Sequence, residues 1–469
     1  MDSSPARSRD VKSVQKDRLK TLNAHPIRDA GYVLYWMQQS QRAEYNHALE
    51  FAIQQADELE RMVIVVFGLT ENYPEANLRH YTFMLQGLLE TRDTLASRGI
   101  QLVLRLGHPP DVVLGLEKEA CLIVCDRGYL RHQRTWRRDL AANASCRVVQ
   151  VESDVVVPIE IVSSKAEYAA RTIRPKIHRH LKNFLTDLAD APVKKPSLGL
   201  RIRGHNMESV RDVLQGLTLD TGVPSVASYL AGGTSAAKRR LGQFIHNHLE
   251  HYVKNSNQPQ TDDISRMGPY LHFGQISPLY VALRVIQAPD ALQEAKDAFI
   301  EQLVVRRELA INFVYYTPDY DKYACIPAWA AASLEKHSND PRKYLYSRRQ
   351  LENAATHDPY WNAAMREMKH TGFMHNYMRM YWGKKILQWS RTPRQAFRAT
   401  LALNNKYFLD GRDPNSYAGV AWIYGVHDRA WQERPIFGKV RYMAAAGLER
   451  KCDIGGYVKK VDALVKKAT

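Results

Sequence analysis

From residue 31 to about 152 the chain alternates short apolar runs with longer amphipathic stretches. The runs are Gly31–Met37 (GYVLYWM), Met62–Leu69 (MVIVVFGL), Ile100–Leu106 (IQLVLRL), Cys121–Cys125 (CLIVC) and Val148–Val151. Each is nearly continuous in apolar residues, the pattern of strands buried on both faces. Between them the period lengthens. Ala48, Leu49, Ala52, Ile53, Ala56 and Leu59 fall on one face of a predicted helix, and Phe83, Leu85, Leu88, Leu89 and Leu95 on one face of another. This alternation predicts an α/β fold with a doubly wound, Rossmann-like parallel sheet. Such sheets take ligands at the carboxyl ends of their strands. No GxGxxG motif follows the first strand, which argues against a dinucleotide dehydrogenase.

The pattern changes at residue 153. Pro158, Pro175, Pro192 and Pro196 and the basic cluster Lys176–His180 predict an irregular connection with some helix over 153–221. Beyond Gly222 helical periodicity runs to the end, broken at Gly268-Pro269, Thr317-Pro318, Pro341, Pro359 and Asp413-Pro414. The expected organisation is a flexible basic arm over 1–27, an α/β domain over 28–152, the connection, and an all-α domain over 222–469.

Composition adds three points. The 469 residues are too many for one ordinary core. No stretch approaches the roughly 18 apolar residues that span a bilayer, and the polar first 27 residues lack the apolar centre of a secretory signal. A net charge of +17 draws polyanions, nucleic acid above all. The five cysteines are odd in number and scattered, without metal-binding spacing, so no metal is expected and reduced thiols fit an intracellular protein.

Three segments of the helical half are dense in Trp, Tyr, Arg and Asn. They are Ser265–Pro278 (SRMGPYLHFGQISP), Glu301–Asn312 (EQLVVRRELAIN), and His370–Trp389 (HTGFMHNYMRMYWGKKILQW) with its continuation at Asn404–Arg441, which includes LDGRDPN and GVHDRAW. Together they closely resemble the FAD-binding helical domain of the photolyase/cryptochrome superfamily, and in detail its class II cyclobutane pyrimidine dimer photolyases. The resemblance covers nearly the whole chain, since the α/β half resembles that family's antenna-binding domain. It implies light-dependent repair of pyrimidine dimers in double-stranded DNA. In that reaction photoexcited, reduced FAD gives an electron to a flipped-out dimer, a carbon–carbon lyase activity.

A flavin needs donors for its pyrophosphate, a polar group near N5 and a dry pocket. Ser265 and Arg266, before a Gly-Pro turn, suit phosphate binding. The resemblance gives the phosphates and ribityl chain to Tyr252, Ile264, Ser265, Arg266, Met267 and Gly268. It sets Arg307, Asn376, Arg379, Asp410 and Asp413 around the flavin, with an Arg379–Asp410 bridge, and puts Asn404 at N5. A neutral amide there can donate or accept.

Trp382 and Trp389 are seven apart, two helical turns on one face. Trp at that spacing commonly just fills a core. The resemblance instead implies an electron-transfer chain running outward from Trp382 through Trp361 to Trp389. For the substrate it implies Trp422 and Met380 as walls for the flipped dimer, with Arg429 and Trp431 at the gap left in the duplex, and Arg441 is a candidate phosphate contact. Lys384, Lys385, Arg434 and Lys439 are further candidates for phosphate. Each is equally well read as a solvated charge.

One departure stands out. Relatives in this family commonly carry two adjacent glutamates before the arginine pair, and one contacts the dimer. Here the pair is Glu301-Gln302. Glu301 in that place changes nothing, whereas Gln302 could hydrogen-bond a carbonyl but not donate a proton as an acid does. A deazaflavin or folate antenna in the α/β half is a further expectation. The chain is expected to be a monomer, cytoplasmic by default and nuclear in a eukaryote. The rival reading is a cryptochrome-like photoreceptor without repair activity. Such proteins often carry long C-terminal extensions, and this sequence ends soon after Arg441.

Overall fold

The computed structural model describes residues 14–468. Its six strands are β1 (Leu19–Thr21), β2 (Tyr32–Trp36), β3 (Met62–Leu69), β4 (Gln101–Leu106), β5 (Ala120–Asp126) and β6 (Arg147–Val151). They form one sheet in the order β1-β6-β5-β2-β3-β4. All pairings are parallel except β1 with β6. The chain moves outward from β2 to β4, then returns to the other side of β2 for β5 and β6. That reversal creates a switch point between β2 and β5.

The apolar runs have a direct cause. Val33 and Tyr35 of β2 enter one core, while Tyr32, Leu34 and Trp36 enter the core on the opposite face. Period-2 alternation persists, but both faces are covered, so every position is apolar. The helix His47–Glu58 buries Ala48, Leu49, Ala52, Ile53 and Ala56, as its pattern predicts, and Asn46 caps it by accepting from the N–H groups of Ala48 and Leu49.

Residues 14–27 depart from the expectation of a flexible arm. Leu19–Thr21 is an edge strand, with Leu19 opposite Val151. Arg18 is buried, and its guanidinium donates to the carbonyls of Glu152, Val155 and Val156. A three-residue strand with Arg18 before it and Lys20 within it carries no periodic signal, and here the arginine serves as an internal clamp. The rest of the expected arm, residues 1–13, lies outside the described residues.

After Val151 the described residues hold no further strand, only an isolated bridge between Arg434 and Gly438. The helical half docks on the sheet through buried polar contacts. Arg79 donates to the carbonyls of Pro224, Met368, Lys369 and Tyr407. Arg42 pairs with Asp154 at 2.7 Å and donates to the Gly274 carbonyl. Gly274 has φ +65°, and a side chain there would strike the backbone of Gln39 and Ser40. Only glycine allows that approach. No helix among the described residues is long and apolar enough to cross a membrane.

Candidate functional site

Two helices carry most of the candidate residues. The first, Asn376–Trp389, is capped by His375, whose Nδ1 accepts from the Tyr377 N–H. The second, Pro393–Tyr407, ends beside the LDGRDPN loop. Arg379 Nη2 donates to both oxygens of Asp410 at 2.9 and 3.1 Å. Its guanidinium lies 3.9 Å from the centre of the Phe408 ring. A side chain at position 268 would collide with Asp410, so the Gly-Pro turn and the ion pair are in contact.

The turn itself is strained. Arg266 has φ +54°, a left-handed conformation uncommon for a residue with a Cβ. Its guanidinium pairs with Asp262 and donates to the Tyr229 hydroxyl. Three buried donors in this region have no partner: Arg266 Nε, His375 Nε2 and Trp382 Nε1. The histidine belongs in that set because Nδ1 is an acceptor, leaving the proton on Nε2. Burial and the charges of Lys460, Arg266 and Arg379 push its pKa down to about 3, so the ring is neutral. Orphaned buried donors are costly and point to an acceptor-rich ligand.

Asn404 is buried and donates to Asn405 Oδ1 at 2.9 Å and to Ser416 Oγ at 2.7 Å. Asp413 caps the helix Pro414–Ile423 and lies 3.3 Å from His272 Nδ1. Burial raises its pKa, but the His272 hydrogen bond and charge, together with Arg307, outweigh this and hold it below the usual range. Arg307 is buried and donates to the Asp154 carbonyl at 2.6 Å. Glu308 Oε1 accepts from the Val156 and Val157 N–H groups, and Asn312 accepts from the Glu167 N–H. These three side chains fasten the connecting segment to the helical half. Tyr252 packs edge-on against Phe244 and Phe299, and Asn376 is exposed at the start of its helix.

Trp361, Trp382 and Trp389 are each at most 2% exposed. Trp361, from the helix Pro359–Thr371, inserts between the other two. It stacks on Trp382 with centroids 6.5 Å apart and planes 11° apart, and meets Trp389 edge-on at 5.7 Å. Its Nε1 donates to the Trp382 carbonyl at 3.0 Å. Trp382 also meets Phe408, the ring under Arg379. The contact order is therefore Trp382, Trp361, Trp389.

A second aromatic group is half open. Arg441 lies 4.2 Å over Trp431 and 5.2 Å over Trp422, and Arg429 lies 5.1 Å over Trp431. Asp428 holds this set by accepting from Arg441 Nε at 3.0 Å and Trp431 Nε1 at 3.3 Å. Met380 is half-buried. Lys384 and Lys385 are not surface phosphate contacts. Both are buried, and Lys384 Nζ donates to the Ile423 carbonyl beneath Trp422. The helix Asn376–Trp389 is packed on most sides, so its lysines turn inward with the tryptophans.

Glu301 and Gln302 open a π-helical turn, Glu301–Arg306, inside the long helical run from Gln293 to Tyr316. Such wide turns recur at functional sites. Glu301 accepts from Arg174 at 2.7 and 3.0 Å and from Arg306 at 3.2 Å. Burial raises its pKa, but Arg174 and then Arg306 lower it further. Gln302 is exposed. Neither residue makes a hydrogen bond or ion pair with Trp422, Met380 or Asn404.

A concavity lies at the carboxyl ends of β2 and β3, the place where a sheet of this kind is expected to take a ligand, though sequence reasoning named none of its residues for that role. Gln38, Gln39, Thr70, Tyr73, Tyr81 and Arg412 are among its lining residues. Arg412 is buried, has φ +70°, and donates to the Asn405 carbonyl at 3.0 Å. It stands inside LDGRDPN, so the motif included it, but the sequence assigned it no role. Among the described residues no cluster of His, Cys, Asp or Glu could hold a metal, and all five cysteines are free.

Comparison with known proteins adds to this geometry. The family model described as DNA photolyase matches residues 33–197. The chain is 48% identical over 453 residues to the deoxyribodipyrimidine photo-lyase of Methanothermobacter thermautotrophicus, covering 96% of this chain and 99% of that one. It is 37% identical to the enzyme of the same name from Potorous tridactylus, covering 95% and 84%. Among solved structures, a class III photolyase from Agrobacterium tumefaciens superposes with a TM-score of 0.73 at 19% identity, over 92% of this chain and 87% of that one.

Proposed function

The chain belongs to the deoxyribodipyrimidine photo-lyases, and on that basis we propose a light-dependent lyase that repairs cyclobutane pyrimidine dimers in double-stranded DNA, of the class II type its motifs resemble. The observation that carries the reading is the set of orphaned donors around Arg379–Asp410, from which a continuous tryptophan stack leads away. Arg266, His375, Trp382 and the Arg379–Asp410 pair would hold reduced FAD there, and the flavin would supply the photoexcited electron that opens the cyclobutane ring.

This chain's residues do the rest. Arg266 Nε, His375 Nε2 and Trp382 Nε1 are donors suited to phosphate and carbonyl oxygens. The Arg379–Asp410 pair, seated on Phe408, presents a fixed planar cation beside the Gly268 turn. Asn404 Nδ2 donates to Asn405 and Ser416 and its Oδ1 accepts from Ser416, so both N–H groups are engaged and the remaining free site of the amide is an acceptor, the second lone pair of Oδ1. Tyr252, Ile264–Gly268, Asn376 and Asp413 complete the cofactor set, and Arg307 reaches it through Asp154 and Asp413. Trp382, Trp361 and Trp389 return electrons to the cofactor.

On the substrate side Trp422 and Met380 wall the flipped dimer, Arg429 and Trp431 occupy the gap in the duplex, and Arg441 contacts phosphate. Glu301 is engaged by Arg174 and Arg306. Gln302 is therefore the member of the pair free to hydrogen-bond a dimer carbonyl. The cleft at the ends of β2 and β3 is the place for a deazaflavin or folate antenna. The division of labour is then an antenna half up to residue 152 and a repair half from residue 222, acting as a monomer.

The test is direct. Dimer-containing DNA is illuminated with the FAD-loaded, reduced protein, and restored thymines are counted. Restoration that depends on light is the expected result. No restoration above a dark control overturns the reading.

A further inference from the structure

The outer end of the tryptophan stack does not reach solvent. Trp389 is only 2% exposed, yet its edge lines a cleft formed with Tyr346, Arg348, Arg391 and Arg398. The cleft encloses about 590 Å³, enough for a small metabolite. The three arginines are exposed; among the described residues none forms an ion pair within 4 Å, and Arg348 alone acts on a carboxylate, that of Glu352, which is engaged by Lys406. The chain pairs many of its other arginines, including Arg42, Arg98, Arg127, Arg137 and Arg174. Three guanidiniums around one cavity, none of them in a close ion pair among the described residues, form a local positive field focused into a concave site.

The wall beside Trp389 is aromatic and ordered. Tyr346 meets Trp389 edge-on at 5.4 Å, and its backbone N–H donates to the Trp389 carbonyl at 3.2 Å. Its hydroxyl is 2.7 Å from His357 Nδ1. His357 stacks on Tyr344 at 3.7 Å and lies 5.2 Å from Trp389. Only the arginine side is left for a molecule to approach the indole.

We propose that this cleft is a docking site for a small anionic one-electron reductant, held by Arg348, Arg391 and Arg398 against the edge of Trp389. The inference rests on the reading of Trp382, Trp361 and Trp389 as an electron relay. Outward movement of the hole leaves a radical cation on Trp389. The bound anion gives up one electron, the neutral indole is restored, and the reductant departs as its one-electron-oxidised radical. No bond is made and the charges balance. The arginines raise the local concentration of the anion and disfavour cationic reductants. A tryptophan buried from bulk water then reacts with a chosen donor and not with any solute.

The experiment uses the full chain loaded with FAD and a short light flash. Decay of the tryptophan radical is followed against ascorbate, a singly charged anion, and against hydroquinone, which is neutral. In the unsubstituted protein the ascorbate rate constant should fall as salt is raised, because the screening length contracts to about 8 Å at physiological ionic strength. In the triple variant Arg348→Gln, Arg391→Gln, Arg398→Gln it should drop by about tenfold and lose its salt dependence, the low end of electrostatic steering. The hydroquinone rate and repair by chemically reduced enzyme should both stay within about twofold of the parent, which also shows that the variant is folded. An unchanged ascorbate rate overturns the proposal. So does a variant that keeps that rate but loses affinity for dimer DNA, since the arginines would then belong to the duplex. A parent protein that yields no tryptophan radical, with flavin photoreduction unaffected by Trp382→Phe, removes the relay itself and is a separate outcome.

Discussion

The helical half uses tryptophan in two opposite ways. Trp361, Trp382 and Trp389 are buried in the core, ring against ring, and the cations near them, Lys385 and the cleft arginines, stand at the outer ring, Trp389. Trp422 and Trp431 are partly open and are flanked by Arg429, Arg441 and the buried Lys384. In the first group close ring contact and a dry surrounding suit movement of charge. In the second, the cation–π contacts leave flat faces and positive charge at the surface, which suits a polyanion with bases to stack. Residue type alone does not separate the two groups. The neighbours do.

The sharpest way to break the comparison is to remove one ring from each side. Trp361→Ala should cost about 3–5 kcal/mol of folding stability, the usual loss for a large buried aromatic, read from denaturant midpoints. It should also stop radical transfer to Trp389. Trp431→Ala should leave stability within about 0.5 kcal/mol and weaken binding to dimer DNA by about 1–3 kcal/mol, a typical stacking contribution. Equal stability losses in both variants would erase the distinction.

Lys384 tests the boundary between the groups. Burial pulls its pKa down to about 7, against the opposing charge of Asp428 and helped by Arg441. The folded-state value lies below the unfolded value of 10.5. Between these limits the unfolded chain binds a proton that the folded chain does not, so stability rises with pH across that window. Lys384→Met should flatten the rise by up to about 1.4 kcal/mol per pH unit and make the protein more stable at acid pH. An unaltered profile would mean that Lys384 is hydrated. The smallest expected effect is that of Arg441→Gln, which should weaken DNA binding evenly across sequences and reduce the salt slope of log affinity by about one. A change confined to one sequence context would contradict a phosphate contact.

The two halves also differed in how readily the sequence revealed them. Strands β2, β3 and β5 are legible because both faces of the sheet are covered, so each is a nearly unbroken apolar run; β4 and β6 keep enough of that pattern around Arg105 and Gln150 to be read as well. Strand β1 is not, since Leu19–Thr21 is short and its pairing depends on a buried arginine that composition places at the surface. The Arg379–Asp410 pair and the order of the three tryptophans followed from motif resemblance and are present in the structure as contacts. Periodicity could not have shown that Trp361 inserts from another helix. Nor could it show the π-helical turn at Glu301, the inward lysines, or the roles of Arg79 and Arg412. All of these depend on which surfaces meet after the chain has folded, and local pattern holds no record of that.

Arg79 has one more consequence. It leaves the helix Leu78–Ser97 and ends among four carbonyls of the helical half. If the gene were divided within the connecting segment, one fragment would carry a key and the other its lock. Each would expose hydrogen-bonding groups that only the other satisfies, and only in one register. The seam between the halves is thus a natural place to cut this protein and restore it by complementation, giving an enzyme whose response to light also requires that two pieces be brought together.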